Sequence, residues 1–122
     1  MAALHAACGW VVVVSNGLVG LWALGASQIE ALRVRALWFA IGIAEVVIGV
    51  QVFLGVAALD GRDTEPYEFH MFYGFVALLA VGLIYSYRTH LRAHIHLFYG
   101  LGSLFLMGLG LRAMTLGPTG GL

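Results

Sequence analysis

Histidine followed by glycine four residues later occurs three times in this sequence. The pairs are His5 with Gly9, His70 with Gly74, and His96 with Gly100. On a helix, residues i and i+4 lie on one face, so each imidazole has a bare patch of backbone beside it. A histidine in that setting can bind the iron of a flat group lying against the helix, and haem is such a group. The spacing therefore predicts a haem site.

One of these histidine combinations suits an iron held by two imidazoles. Such an iron needs its histidines on different helices at one membrane depth. His5 and His70 meet this requirement, because each falls in the first turns of an apolar stretch and the two stretches are predicted to start on the same side. We predict that they hold a haem iron between them, with Gly9 and Gly74 making room for the ring. Arg112, close to the same surface, would neutralise its anionic groups.

The composition is that of a membrane protein. Hydrophobic residues make up 61% of the 122 residues and charged residues only 10%, whereas soluble domains carry roughly 25% charged residues. The formal net charge is zero, so no basic surface favours nucleic acid. The expected surroundings are a lipid bilayer.

Hydropathy divides the chain into four apolar stretches, at 4–24, 37–59, 69–87 and 94–116. Each is close to the ~20 residues that cross a bilayer as a helix. Short connections make neighbouring helices antiparallel, so residues 1–116 are predicted to form one all-α, antiparallel bundle of four transmembrane helices. The first and third helices would be diagonal, with the bundle centre between their histidines. The glycine-rich segment 117–122 is predicted to be a flexible tail.

Arginines indicate the orientation. Arg33, Arg35, Arg88 and Arg92 all lie in the first and third connections or beside them. Because positively charged loops stay in the cytoplasm, both termini are expected outside. We predict a multi-pass protein of the bacterial plasma (inner) membrane.

Further polar residues are second-tier candidates. Glu45 and Gln51 lie inside the second span, where polar groups are costly and often functional. His96 with His94 or His90 could hold a second site at the inner end. The alternative for each histidine, and for aromatic neighbours such as Tyr99, is an interfacial position. A zinc site and serine hydrolysis are poorly supported, since no cysteine or acid lies near the inner histidines and no G-x-S-x-G stretch occurs.

The run Gln51-Val52-Phe53-Leu54-Gly55, with His70 at the head of the next helix, resembles one half of the haem A synthase family. The chain also resembles the cytochrome b561 type of membrane bundle. The resemblance implies a bis-histidine haem between non-adjacent helices, with His5 and His70 as ligands. A complete synthase has two such halves, so we carry over the haem ligands and not the haem-modifying reaction.

The expected function is electron transfer, or a role as a subunit of a respiratory or quinone-linked complex. Other membrane subunits or a second copy of the chain are the expected partners. Two alternatives stay open. One is a cofactor-free accessory subunit of a larger membrane complex, and the other is a small proton-coupled transporter that uses Glu45.

Overall fold

The computed structural model describes residues 2–59 and 68–115, and the regular elements in these two ranges are all helical. The four long helices are α1 (Ala2–Gln28), α2 (Arg35–Leu59), α3 (Glu68–Tyr87) and α4 (Ile95–Thr115). Two short 3-10 helices, η1 (Glu30–Leu32) and η2 (Arg92–His94), precede α2 and α4. The connection between the second and third spans and the predicted tail at 117–122 lie outside the described residues.

All four long helices are long and apolar enough to cross a membrane, and each overlaps one of the four predicted apolar stretches. Large apolar side chains are exposed along each of them, for example Leu18, Phe53, Leu79 and Phe105. A surface of this kind is expected where helices face lipid instead of water. The chain is therefore a helical membrane protein.

The first helix extends four residues beyond the predicted span because its end is capped. Arg33 follows η1 and folds back over the end of α1. Its Nε donates a hydrogen bond to Ala26 O at 2.6 Å, and its Nη2 donates one to Ser27 O at 3.0 Å. The last carbonyls of a helix lack partners within the helix, so these bonds stabilise the added turn.

Helices α1 and α4 pack closely through glycine. A Cβ added to Gly100 would lie 2.9 Å from the backbone nitrogen of Leu24, and one added to Gly20 would lie 3.2 Å from Gly100 O. Small residues at such points let two membrane helices approach. Contacts between α1 and α3 are sparse, as expected for diagonal helices, and the α2–α3 interface is small.

Other glycines do not serve helix packing. A Cβ added to Gly42, Gly49 or Gly108 would meet no neighbouring element within 4 Å. These positions lie on open faces of α2 and α4. The number of glycines in the sequence is therefore a poor guide to how much of the bundle is closely packed.

The two ends of the bundle differ in chemistry. We call one end the arginine end, because Arg33, Arg88 and Arg92 lie there. We call the other the histidine end, because His5 and His70 begin α1 and α3. The same end holds the last turns of α2 and α4, since His5 contacts Gln51 and His70 contacts Ala113.

Candidate functional site

The structure brings together the two histidines that sequence analysis paired. His5 Nε2 on α1 lies 3.4 Å from His70 Nε2 on α3, although 65 residues separate them in the chain. Both side chains are partly buried. The pair therefore joins two diagonal helices across the centre of the bundle.

The other nitrogen of each ring contacts a backbone carbonyl. His5 Nδ1 lies 3.2 Å from Gln51 O, and His70 Nδ1 lies 2.7 Å from Ala113 O. A carbonyl oxygen can only accept, so both Nδ1 atoms must carry hydrogen and donate. In the neutral rings, Nε2 is then the unprotonated nitrogen with a free lone pair.

These two lone pairs point at each other. The ring centroids are 5.6 Å apart, which is the separation of the Nε2 atoms plus about one ring radius on each side. The nitrogens and the centroids are therefore nearly collinear, and the ring planes cross at 83°. Two opposed lone pairs repel unless a positive charge lies between them. The arrangement is suited to a shared proton or a metal ion.

A glycine of α2 makes room for His5. A Cβ added to Gly55 would lie 2.9 Å from Cε1 of His5 and 3.3 Å from its Nδ1. Gly55 lies one turn after Gln51, whose carbonyl accepts the Nδ1 hydrogen bond. Gln51 and Gly55 thus both position His5, the first through its backbone carbonyl and the second through the space that it leaves.

The glycines predicted to make room for a ring differ from one another. A Cβ at Gly74 would meet nothing within 4 Å, so space is open beside His70 as predicted. At Gly9 the prediction of a bare patch is wrong, because Gln51 Nε2 and Met114 Cε would each lie 3.2 Å from a Cβ there. Both of these atoms end flexible side chains, which can move to admit a ligand.

Polar groups close to the pair include Gln51 and Arg112. Gln51 Oε1 is buried and has no hydrogen-bond partner among the described residues. Arg112 precedes the residue that accepts the His70 hydrogen bond, is exposed, and holds its guanidinium carbon 6.0 Å from the ring centroid of Tyr73. One positive charge therefore lies at the histidine end, on the last turn of α4.

The second-tier residues at the arginine end are arranged differently. His96 stacks on Trp38 with ring centroids 5.3 Å apart, and exposed His94 lines the same open pocket as His96. The space beside Gly100 is filled by Leu24, whose side chain would lie 2.8 Å from an added Cβ. The bare patch predicted beside His96 is thus absent.

Sequence reasoning assigned some residues to other roles. Tyr99, read as interfacial, is only 6% exposed and packs edge-on against Trp38 inside the bundle. Sequence analysis did not place Gly55 beside His5, although the structure does. Ala113 acts through its backbone carbonyl, a group every residue has, so no sequence signal could have found it.

A haem iron is one group that two opposed imidazoles could hold. In residues 2–59 and 68–115, no three or more His, Cys, Asp or Glu side chains lie close enough to hold a metal. Two opposed imidazoles are what a protein contributes to a bis-histidine haem, and hydrogen bonds from Nδ1 to carbonyls are typical of metal-binding histidines. Metal–imidazole bonds of about 2.0 Å require about 4 Å between the nitrogens, so the pair must separate by about 0.6 Å.

No protein-family model, curated protein or solved structure matches this chain. The fold and the site therefore define its class by themselves. It is a helical membrane protein with four candidate spans and an opposed histidine pair at one end of the bundle.

Proposed function

We propose that the chain is a multi-pass bacterial plasma membrane protein, an antiparallel four-helix bundle with both termini on the outer side. His5 in the first turn of α1 meets Gln51 in the second half of α2, and contacts between α1 and α4 run from Gly9 with Met114 to Gly20 with Leu104. Both patterns support antiparallel neighbours. The arginines at one end support the orientation, since positively charged connections stay in the cytoplasm.

Within this bundle, His5 and His70 are the axial ligands of a b-type haem. The observation that carries the assignment is the collinear pair of Nε2 atoms, 3.4 Å apart, with both Nδ1 atoms engaged by carbonyls. Each ring is thereby held in the tautomer that a metal requires. A low-spin haem with two imidazole ligands supplies reversible one-electron chemistry between its ferric and ferrous states.

The residues around the pair have separate tasks. Gly55 leaves room for the imidazole of His5, and the carbonyls of Gln51 and Ala113 orient the two rings. The open space beside Gly74 accommodates one face of the ring, while the side chains at Gly9 move aside. Arg112 offers a positive charge to the anionic propionates at the bundle end.

The role that follows is one-electron transfer within the membrane, alone or as a subunit of a respiratory or quinone-linked complex. Burial among apolar helices keeps water from the iron and, with axial ligation, sets its potential. Other membrane subunits or a second copy of this chain would supply or take the electron.

An optical spectrum of the purified protein tests the proposal. The protein is expressed with ample haem, purified in detergent, and examined oxidised and after reduction with dithionite. We expect a sharp reduced α-band and about one haem per chain, both lost in His5→Ala and in His70→Ala. Added imidazole should partly restore the band in either variant by filling the vacated axial position.

The matched control is His90→Ala, because His90 is an exposed histidine near the arginine end. Its spectrum should equal that of the unaltered protein. Circular dichroism checks that all variants remain helical. A folded protein with no haem band, or a band that survives both substitutions at the pair, would contradict the assignment.

A further inference from the structure

A layer of polar side chains crosses the middle of the bundle, away from the histidine pair. It consists of Asn16 on α1, Glu45 on α2 and Ser103 on α4. Asn16 is 0% exposed and Ser103 is 1% exposed. Asn16 Oδ1, Glu45 Oε2 and Ser103 Oγ are buried without a hydrogen-bond partner in the described part of the chain. Unsatisfied polar atoms are rare in an apolar interior, so three at one level need an explanation.

Contacts between helices show that the three residues share one depth. Asn16 Nδ2 donates a hydrogen bond to the carbonyl of Ala44, the neighbour of Glu45, at 3.4 Å. Trp38 on α2 contacts His96 on α4. Seven residues make about two turns, so Glu45 lies two turns above Trp38, and Ser103 lies two turns above His96, each on the same helix face.

A polar face of α4 leads to this layer from the arginine end. His96, Tyr99 and Ser103 follow one another at i, i+3 and i+7, which places them on one side of the helix. His96 lines an open pocket of about 260 Å³ at the arginine end, together with Arg33, Arg92 and His94. Tyr99 is buried and packs against Trp38, two turns before Glu45 on α2. Imidazole and hydroxyl groups therefore lie at successive levels between the pocket and the middle of the bundle.

Glu45 is the ionisable member of the layer. On α1 the neutral Asn16 lies at the same level, bonded to the carbonyl of Ala44. On α4 the titratable group nearest in level is Tyr99, which packs against Trp38. An ionised carboxylate at this depth is costly unless a cation neutralises it. A bound proton does so and needs less space than a metal ion. Metal cations with oxygen ligands prefer six or more of them, which is more than three side chains offer here.

We propose that Glu45 is an exchangeable proton site in the middle of the membrane, filled from the arginine end along His96, Tyr99 and Ser103. The incoming proton converts the carboxylate into a neutral carboxylic acid. The acid can then donate a hydrogen bond to the unpaired Oδ1 of Asn16, an atom that an ionised carboxylate cannot serve. The site is separate from the histidine pair and does not depend on haem.

Dicyclohexylcarbodiimide tests the proposal, because this apolar reagent modifies protonated carboxyl groups inside membranes. The protein in liposomes is treated at several pH values, and the labelled peptides are identified by mass spectrometry. We expect labelling of Glu45 at acidic pH that slows at least tenfold at alkaline pH and is absent in Glu45→Gln. Glu30→Gln is the matched control, because Glu30 is an exposed carboxylate of η1, and its labelling should match that of the unaltered protein.

To learn whether the site binds a proton or a sodium ion, the labelling is repeated at increasing sodium chloride concentrations and constant ionic strength. Labelling that is independent of sodium supports the proton, whereas protection by sodium overturns it. A folded protein whose Glu45 is never labelled at acidic pH, or is labelled equally at all pH values, also overturns the proposal.

The route is tested by infrared spectroscopy of the acid carbonyl band after transfer to deuterated buffer. The band should shift as the acid exchanges its proton for a deuteron. Tyr99→Phe removes one hydroxyl at nearly constant shape and should slow this exchange several-fold. The control Tyr73→Phe, at the histidine end, should not change the rate. An unchanged rate in Tyr99→Phe would overturn the proposed route.

Discussion

The imidazole of His5 occupies the space that a side chain at position 55 would need. A Cβ on Gly55 would lie 2.9 Å from His5 Cε1, and Gln51, one turn earlier, accepts the Nδ1 hydrogen bond through its carbonyl. The i, i+4 spacing of the two residues puts both on the helix face that meets α1. A glycine and a carbonyl on α2 thus fix the position and the tautomer of a histidine on α1.

Gly55→Ala should weaken haem binding. The added methyl would overlap the imidazole ring, and the ring cannot retreat without breaking its bond to Gln51 O or leaving His70. Such overpacking costs about 1–3 kcal/mol, so haem affinity should fall roughly 5- to 140-fold. Titration of the apoprotein with haem, followed at the Soret band, measures the change.

Gly49→Ala is the matched control on the same helix. A Cβ there meets nothing within 4 Å, so haem affinity should stay the same and the helix should gain slightly in stability. Equal affinities of the two variants would show that the space beside Gly55 is not needed.

The opposed lone pairs predict a definite tautomer for the haem-free protein. Because Gln51 O and Ala113 O both accept from Nδ1, nitrogen-15 spectra at alkaline pH should show His5 and His70 protonated at Nδ1 and bare at Nε2. Exposed His90, which has no such carbonyl partner in the described residues, should instead show a mixture of the Nδ1–H and Nε2–H tautomers. A protonated Nε2 on either member of the pair would contradict the geometry described here.

Much of this arrangement could be predicted from the sequence. The four spans follow from hydropathy, since a bilayer demands long apolar helices. His5 and His70 could be paired because both begin spans on one side. A residue's position along its span sets its depth in the membrane.

Residue contacts between helices could not be predicted in the same way. Gly9 and Gly100 have the same spacing to a histidine as Gly74, yet Gln51 and Leu24 fill the space beside them. That difference depends on how one helix is rotated against the next. Rotation is set by the sum of many small packing contacts, and nearly uniform apolar helices carry little periodic signal of it.

Gly100→Ala should destabilise the bundle. Its Cβ would lie 2.9 Å from the backbone nitrogen of Leu24, an atom that cannot move independently of α1. Forcing α1 and α4 apart should cost about 1–3 kcal/mol. The free energy of unfolding, measured by denaturant titration in detergent or bicelles, should fall by that amount.

Gly108→Ala, on the same helix, serves as the control because its added Cβ would meet nothing within 4 Å. We expect no loss of stability there, and a gain of up to about 1 kcal/mol from helix propensity. If both substitutions cost the same, the close approach of α1 and α4 at Gly100 would be in doubt.

Arg112→Gln should lower the midpoint potential of the proposed haem. Arg112 neighbours Ala113, which accepts the His70 hydrogen bond, so its charge lies near the ligand pair. A positive charge disfavours the ferric state, which is one unit more positive than the ferrous state, and removing that charge stabilises ferric haem. For a charge about 10 Å away and an effective dielectric constant between about 20 and 80, the shift is roughly 20–70 mV downward. Redox titration followed at the α-band measures the shift.

Arg92→Gln is the control, because Arg92 lies at the arginine end, and it should leave the potential unchanged. An equal shift in both variants would argue against a haem beside Arg112.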